Sequence, residues 1–188
     1  MAKVQIFTDS IIQSELINPK LHKRVYELLG RYIAMDKNNV ISNAGGFQTP
    51  PIKCNYILDV LSEKAGALIN ENYSLKKKTI IKVSAAWINR NDKYNFNMPH
   101  VHTTNFSGIY YLQTPKENGH LVFMKNDASE DFCGNNQFID KEFFSRWRVI
   151  PKQNEFILFP GNFTHLVEAH YEDTPRISVA FNVSLSYG

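Results

Sequence analysis

From Thr79 onward the chain is a series of short apolar runs, and this restricts its fold more than any other feature. The runs are Thr79–Trp87, Ser107–Leu112, Leu121–Met124, Phe143–Ile150, Glu155–Phe159, His165–Ala169 and Ile177–Ser184, separated by segments rich in Pro, Gly and Asn. Segments this short cannot each form a helix that buries a stripe of its own, whereas they match strands of antiparallel sheets in length and spacing. Aromatic residues make up 13% of the chain, which suits a β-rich core. The expectation is a two-sheet sandwich or jelly roll. Asn89–Asn97 reads as a polar loop within it, and Val4–Ile12 as a short opening strand.

Two helices precede this region. Pro19–Ala34 carries Leu21, Val25, Leu28, Leu29 and Ile33 at helical spacing, with Asn18 placed to cap it. Tyr56–Ile69 carries Ile57, Val60, Leu61, Leu68 and Ile69. Between them Asp36–Pro51 reads as a loop, whose Asn43-Ala44-Gly45-Gly46-Phe47-Gln48 fits a turn better than a substrate loop. The 188 residues, 43% hydrophobic and 21% charged, are expected to form one domain: a helical support region over 1–78 and a jelly-roll core over 79–188.

Composition narrows the partners. The net charge is only +3, and Lys76-Lys77-Lys78 is the one basic run, so nucleic acid is not an expected partner. Two cysteines, Cys54 and Cys133, make no disulfide framework. No stretch approaches the ~18 apolar residues of a membrane span, and the chain reads as cytoplasmic.

His100-Val101-His102 carries the chemistry. Residues i and i+2 of a strand share a face, so both imidazoles can grip one metal ion. His165, in Phe159-Pro160-Gly161-Asn162-Phe163-Thr164-His165, is the candidate third ligand. Taken singly, each histidine is as well explained by a surface or hydrogen-bonded role. His22, His120 and His170 show no grouping and read as solvated or structural.

Arg176 stands in the apolar run Arg176-Ile177-Ser178-Val179-Ala180-Phe181, where a buried guanidinium needs an anionic partner. That partner is either a protein carboxylate or a ligand carboxylate held by the guanidinium fork and by Ser178 on the same face. A simple hairpin at Glu172–Pro175 would leave Arg176 about 20 Å from His165, at about 3.3 Å per residue. One small ligand reaches both only if the chain changes sheets between them.

Taken together, His-x-His, Tyr110-Tyr111-Leu112, Phe159-Pro160 with His165, and Arg176-x-Ser178 resemble the Fe(II)- and 2-oxoglutarate-dependent oxygenases. The likeness is nearest to the prolyl-hydroxylase-like branch, and within it to oxygenases of marine bacteria and their phages, which Asn43–Gln48 and Ser107–Leu112 also resemble. The resemblance implies a double-stranded β-helix in which His100, His102 and His165 hold Fe(II). It implies that Arg176 and Ser178 bind the far carboxylate of 2-oxoglutarate, with Tyr111 donating to it; Tyr110 is the alternative if the Thr103–Phe106 loop breaks the strand alternation. The implied activity consumes 2-oxoglutarate and O2 to hydroxylate a prolyl peptide or a small molecule, in the host cytoplasm if the chain is phage-encoded. Trp87, Phe181 and the tyrosine pair could wall the site, and loops Asn89–Asn97 and Asp127–Asn136 could rim it. His102 stands where the family usually has Asp or Glu, with Asp92 as the fallback carboxylate. This departure keeps open a three-His cupin-like dioxygenase that does not use 2-oxoglutarate. A non-catalytic jelly-roll module, binding a sugar or a structural phage partner, is the remaining alternative.

Overall fold

The computed structural model describes residues 10–76, 78–125 and 146–188. Two helices and two antiparallel sheets account for most of them. Helix α1 spans Pro19–Ala34, and the Asn18 side chain accepts a hydrogen bond from the Leu21 amide at 2.9 Å, as its position before the first apolar residue predicts. Helix α2 spans Asn55–Asn72 and buries Ile57, Leu61, Ala65, Leu68 and Ile69 along one stripe.

The strands are β1 (Ile12–Glu15), β2 (Asn43–Ala44), β3 (Phe47–Gln48), β4 (Thr79–Asn91), β5 (Phe96–His100) and β6 (Phe106–Gln113). They continue with β7 (Leu121–Met124), β8 (Arg146–Val149), β9 (Glu155–Pro160), β10 (Thr164–Val167) and β11 (Arg176–Tyr187). One sheet has the order β1-β9-β6-β11-β4-β3, and the other β2-β5-β10-β7-β8. The six-stranded sheet is covered on both faces. Towards the helices, Val83, Ile88, Tyr110, Phe156, Leu158, Val179 and Phe181 pack with Leu21, Val25, Ile57 and Leu61. Towards the second sheet, Ile109, Tyr111, Ile157 and Phe159 pack with Leu121, Phe123, Val149 and Val167. This is the expected jelly roll with two supporting helices.

Some boundaries differ from the sequence reading. The strand expected to end at Trp87 runs on to Asn91, and β5 begins at Phe96, so the polar loop shrinks to the Asp92–Asn95 turn. Asn89, Asn91 and Asn97 are buried inside the molecule, and alternation sets Asn89 and Ile88 on opposite faces of β4. The opening strand is observed at Ile12–Glu15. Residues 4–9 of the expected one, 143–145 of the Phe143–Ile150 segment, Cys133, Lys77 and the Asp127–Asn136 loop lie outside the described residues. Asn43–Gln48 is a turn, and it links the sheets: β2 pairs with β5 in one, β3 with β4 in the other, and Gly45 takes φ +76° between them.

Candidate active site

The chain changes sheets between His165 and Arg176. β10 belongs to the five-stranded sheet and β11 to the six-stranded one. The two residues therefore face the same interior from opposite walls, instead of lying 20 Å apart along a hairpin. Between the walls is a space lined by the three histidines, Arg176, Ser178, Tyr111, Trp87, Asn89, Asn91 and Asn97 among others.

His100 ends β5, directly paired with His165 on β10. His102 lies two residues past the strand end, where its amide donates to the Gly161 carbonyl at 2.8 Å. That bond fastens the His-x-His segment to the turn before β10. The contact is close: a Cβ on Gly161 would come within 2.1 Å of the Thr104 carbonyl oxygen, so only glycine fits. Ring centroids are 4.3 Å apart for His100–His165, 5.1 Å for His100–His102 and 5.2 Å for His102–His165. One nitrogen from each lies within 4.8 Å of the others, a set that could hold one metal ion.

Two of the rings have a fixed tautomer. His100 Nδ1 donates to the Met98 carbonyl at 2.7 Å and His165 Nδ1 to the Phe163 carbonyl at 2.9 Å, which leaves each Nε2 as a lone-pair donor for a metal. Burial, with a smaller contribution from a charge on His100, pushes His102 down to about 4. Burial followed by the same neighbour pushes His165 down to about 3. Both are neutral at pH 7, the form that binds metal. The fallback ligand Asp92 is engaged elsewhere: its carboxylate pairs with the Arg90 guanidinium at 2.9 Å on the surface.

Arg176 is 1% exposed. Its guanidinium donates to the Asn118 side-chain oxygen at 3.2 Å and to the carbonyls of Gly119 and Glu168 at 3.1 and 3.3 Å. All these acceptors are neutral, and among the described residues no carboxylate pairs with it. Burial presses its pKa below the ordinary value, opposed by Tyr111. Tyr111 faces the same space. Burial raises its pKa, so it remains a neutral phenol, and its buried hydroxyl has no hydrogen-bond partner. Alternation separates the tyrosine pair on β6: Tyr110 turns to the other face, donates to the Leu16 carbonyl and accepts from His22 Nε2. Trp87 lines the space, whereas Phe181 packs under the helices and is not a wall of it. The remaining histidines are structural, His120 on Glu168 and His170 on the Asn91 carbonyl.

A donor set of three imidazoles, a buried cation that no described carboxylate pairs with, and an orphaned buried hydroxyl fits a metal ion chelated by an anionic ligand whose far end reaches Arg176. The sequence reading set Asn89, Asn91 and Asn97 in a loop rimming the site, whereas they stand on β4 and β5 and line it from within. Their polar run resembles a loop because their inward side faces this space instead of an apolar core.

A family model described as "Putative 2OG-Fe(II) oxygenase" matches residues 85–182. No curated protein matches the sequence. Among solved structures, a prolyl-4-hydroxylase from Pseudomonas putida is similar at 14% identity and TM-score 0.61, with 93% of each chain covered. The viral collagen prolyl hydroxylase of Paramecium Bursaria Chlorella virus-1, in a 2-oxoglutarate complex, matches at 12% identity and TM-score 0.59, covering 92% of this chain and 94% of that one. HygX from Streptomyces hygroscopicus, with nickel, 2-oxoglutarate and hygromycin B bound, matches at 10% identity and TM-score 0.61, covering 94% and 83%. At these identities the structures bear on the fold alone.

Proposed function

The chain belongs to the 2OG-Fe(II) oxygenase family, and from that premise we propose that it is a hydroxylase acting on a peptidyl, prolyl-type or small-molecule substrate, with residues 1–188 working as one domain. Its motifs favour the prolyl-hydroxylase-like branch found in marine bacteria and their phages, and the setting proposed for it is cytoplasmic. No described helix is long and apolar enough to cross a membrane.

The observation that carries the proposal is the position of Arg176: buried, paired only with neutral oxygens, and across the interior from three converging histidines. His100, His102 and His165 would hold Fe(II). Arg176, Ser178 and Tyr111 would bind the far carboxylate of 2-oxoglutarate, the guanidinium by charge and the two hydroxyls as donors. When bound, the ion and co-substrate supply O2 activation coupled to decarboxylation of 2-oxoglutarate to succinate and CO2. Among the described residues no carboxylate joins the histidines. The bound ion would therefore keep one more positive charge than in a two-His, one-carboxylate site, which favours a dianionic chelator. Phe123, Phe159 and Trp87 around the imidazoles exclude water and fix the rings.

His102 also favours a second reading, a three-His dioxygenase that does not use 2-oxoglutarate. Anaerobic titration with Fe(II) and then 2-oxoglutarate separates the two. The proposed function expects a weak visible charge-transfer band that needs both; a metal site whose spectrum ignores 2-oxoglutarate supports the alternative.

A further inference from the structure

We propose that the cleft where the N-terminal ends of α1 and α2 meet is a docking site for an acidic polypeptide segment. The inference is independent of the function proposed above. The cleft lies in the helical layer, on the far side of the six-stranded sheet from the histidines and Arg176. Four cations surround it: Lys20, Lys23 and Arg24 from α1, and Lys53 from just before the N-cap of α2. Glu27 is the one carboxylate among its lining residues. The cleft thus carries a net charge of +3, the net charge of the whole chain, and the charges elsewhere cancel. No basic run in the sequence announces it, because the cations come from two elements that only the fold brings together.

This placement costs the free protein. Lys20, Lys23 and Arg24 stand at i, i+3 and i+4 on α1, turned away from the buried Leu21, Val25 and Leu29, so like charges are neighbours. Glu27 offsets Arg24 alone, at 3.2 Å. Among the described residues no carboxylate pairs with Lys20, Lys23 or Lys53. The helix ends add to the positive field instead of being offset by Asp or Glu: neither helix has an acidic residue in its first turn, and the α2 N-cap, Cys54, makes no side-chain capping bond. The Tyr56 hydroxyl donates to the side chain of Asn18, the α1 cap, at 3.3 Å and holds the two ends together. An anionic partner relieves the repulsion on both banks of the cleft at once.

Two observations favour a polypeptide over a nucleic acid. A nucleic acid backbone follows a positive track longer than one cleft, and outside this cleft the charges of the chain sum to zero. Unpaired bases stack on open aromatic faces, and the Tyr56 ring is covered by the Lys20 ammonium, 4.7 Å from its centre. An extended peptide sets the side chains of one face roughly 7 Å apart, so a short run of Asp or Glu can address the α1 cations on one bank and Lys53 on the other.

Fluorescence anisotropy at low ionic strength, with a short labelled peptide of alternating Glu and Ser as the probe, tests this. The wild type is expected to bind the probe, less tightly as salt is added, and not to bind its Gln-Ser counterpart. Lys23→Glu combined with Lys53→Glu is expected to weaken binding by roughly tenfold, because two exposed attractions become repulsions. Lys37→Glu combined with Lys82→Glu makes the same change in net charge at exposed positions outside the cleft, and is expected to bind like the wild type. If the charge-reversed cleft variant fails to fold by circular dichroism, Lys23→Gln with Lys53→Gln is read in its place: several-fold weaker binding supports the site, and wild-type affinity overturns it. Absence of binding by the wild type, equal binding of the Gln-Ser peptide, or equal losses in the cleft and control variants overturns the proposal. Tighter binding of a single-stranded oligothymidylate than of the Glu-Ser peptide, lost in the cleft variant, assigns the cleft to nucleic acid and overturns the polypeptide.

Discussion

At the scale of single residues, the histidines show how a fold prepares ligands before any ion arrives. His165 is packed against Phe123 and Phe159 and bonded through Nδ1, so its orientation and its tautomer are both fixed. The cost appears on acidification. An imidazole titrates near 6.5 in the unfolded chain, whereas burial first and the His100 charge second hold folded His102 near 4 and folded His165 near 3. Between these limits the unfolded state binds more protons, so stability rises with pH in that window. It is fully present above about 6.5 and is lost as pH falls towards the folded values. Metal-free protein is therefore expected to melt at a lower temperature at pH 5 than at pH 7. A His102→Gln, His165→Gln variant should show a flatter dependence; parallel melting curves for the two proteins would contradict this origin. Sequence could nominate these three histidines from the His-x-His spacing, although the strand expected to carry both ends at His100, and His102 is set by its bond to the Gly161 carbonyl. It could not supply the Met98 and Phe163 carbonyls that orient two of them, because backbone partners leave no trace in residue type.

At the scale of elements, the helices were legible because their apolar stripes and the Asn18 cap are local signals. Most strands were legible; the exceptions are β1, which begins at the last residue of the one expected, the two-residue strands β2 and β3, and the strands that face the cavity. Asn89 and Asn91 extend β4, yet polar side chains turned inward resemble a loop. Tyr110 and Tyr111 were separable in principle by alternation alone, and the register of β6 against β11 runs regularly from Phe106 to Tyr111, shifting only beyond it. The glycine of Ser107-Gly108-Ile109 has a packing reason. A Cβ on Gly108 would lie 2.2 Å from Phe181 Cζ and 2.8 Å from the Ile157 carbonyl oxygen, in the middle of the six-stranded sheet. Gly108→Ala must therefore displace a core aromatic ring or separate two strands. It is expected to destabilise the protein by roughly 1–3 kcal/mol, read as a lower urea midpoint with an unchanged slope. A wild-type midpoint would show that the Phe181 ring can move at no cost.

At the scale of the whole molecule, function depends on one feature of topology, the crossing of the chain from β10 to β11 between the two sheets. It puts the histidines on one wall and Arg176 on the other, so that a single small ligand can engage both. No local pattern encodes that crossing. The sequence shows only that a flat hairpin would separate the groups too far, and the resemblance to known oxygenases supplied the rest. Arg176 also ties the β6–β7 connection, through Asn118 and Gly119, to the Glu168 carbonyl just past β10, so its removal should lower the melting temperature of the apo-protein as well. The informative quantity is thus the increment produced by the ligand. Thermal unfolding of wild type and Arg176→Ala, each with Mn(II) alone and with Mn(II) plus 2-oxoglutarate, measures it directly. A co-substrate bridging the two walls predicts that 2-oxoglutarate raises the wild-type melting temperature, that the increment vanishes in Arg176→Ala, and that the Mn(II) increment persists in both. Equal stabilisation of both proteins by 2-oxoglutarate would contradict the bridge.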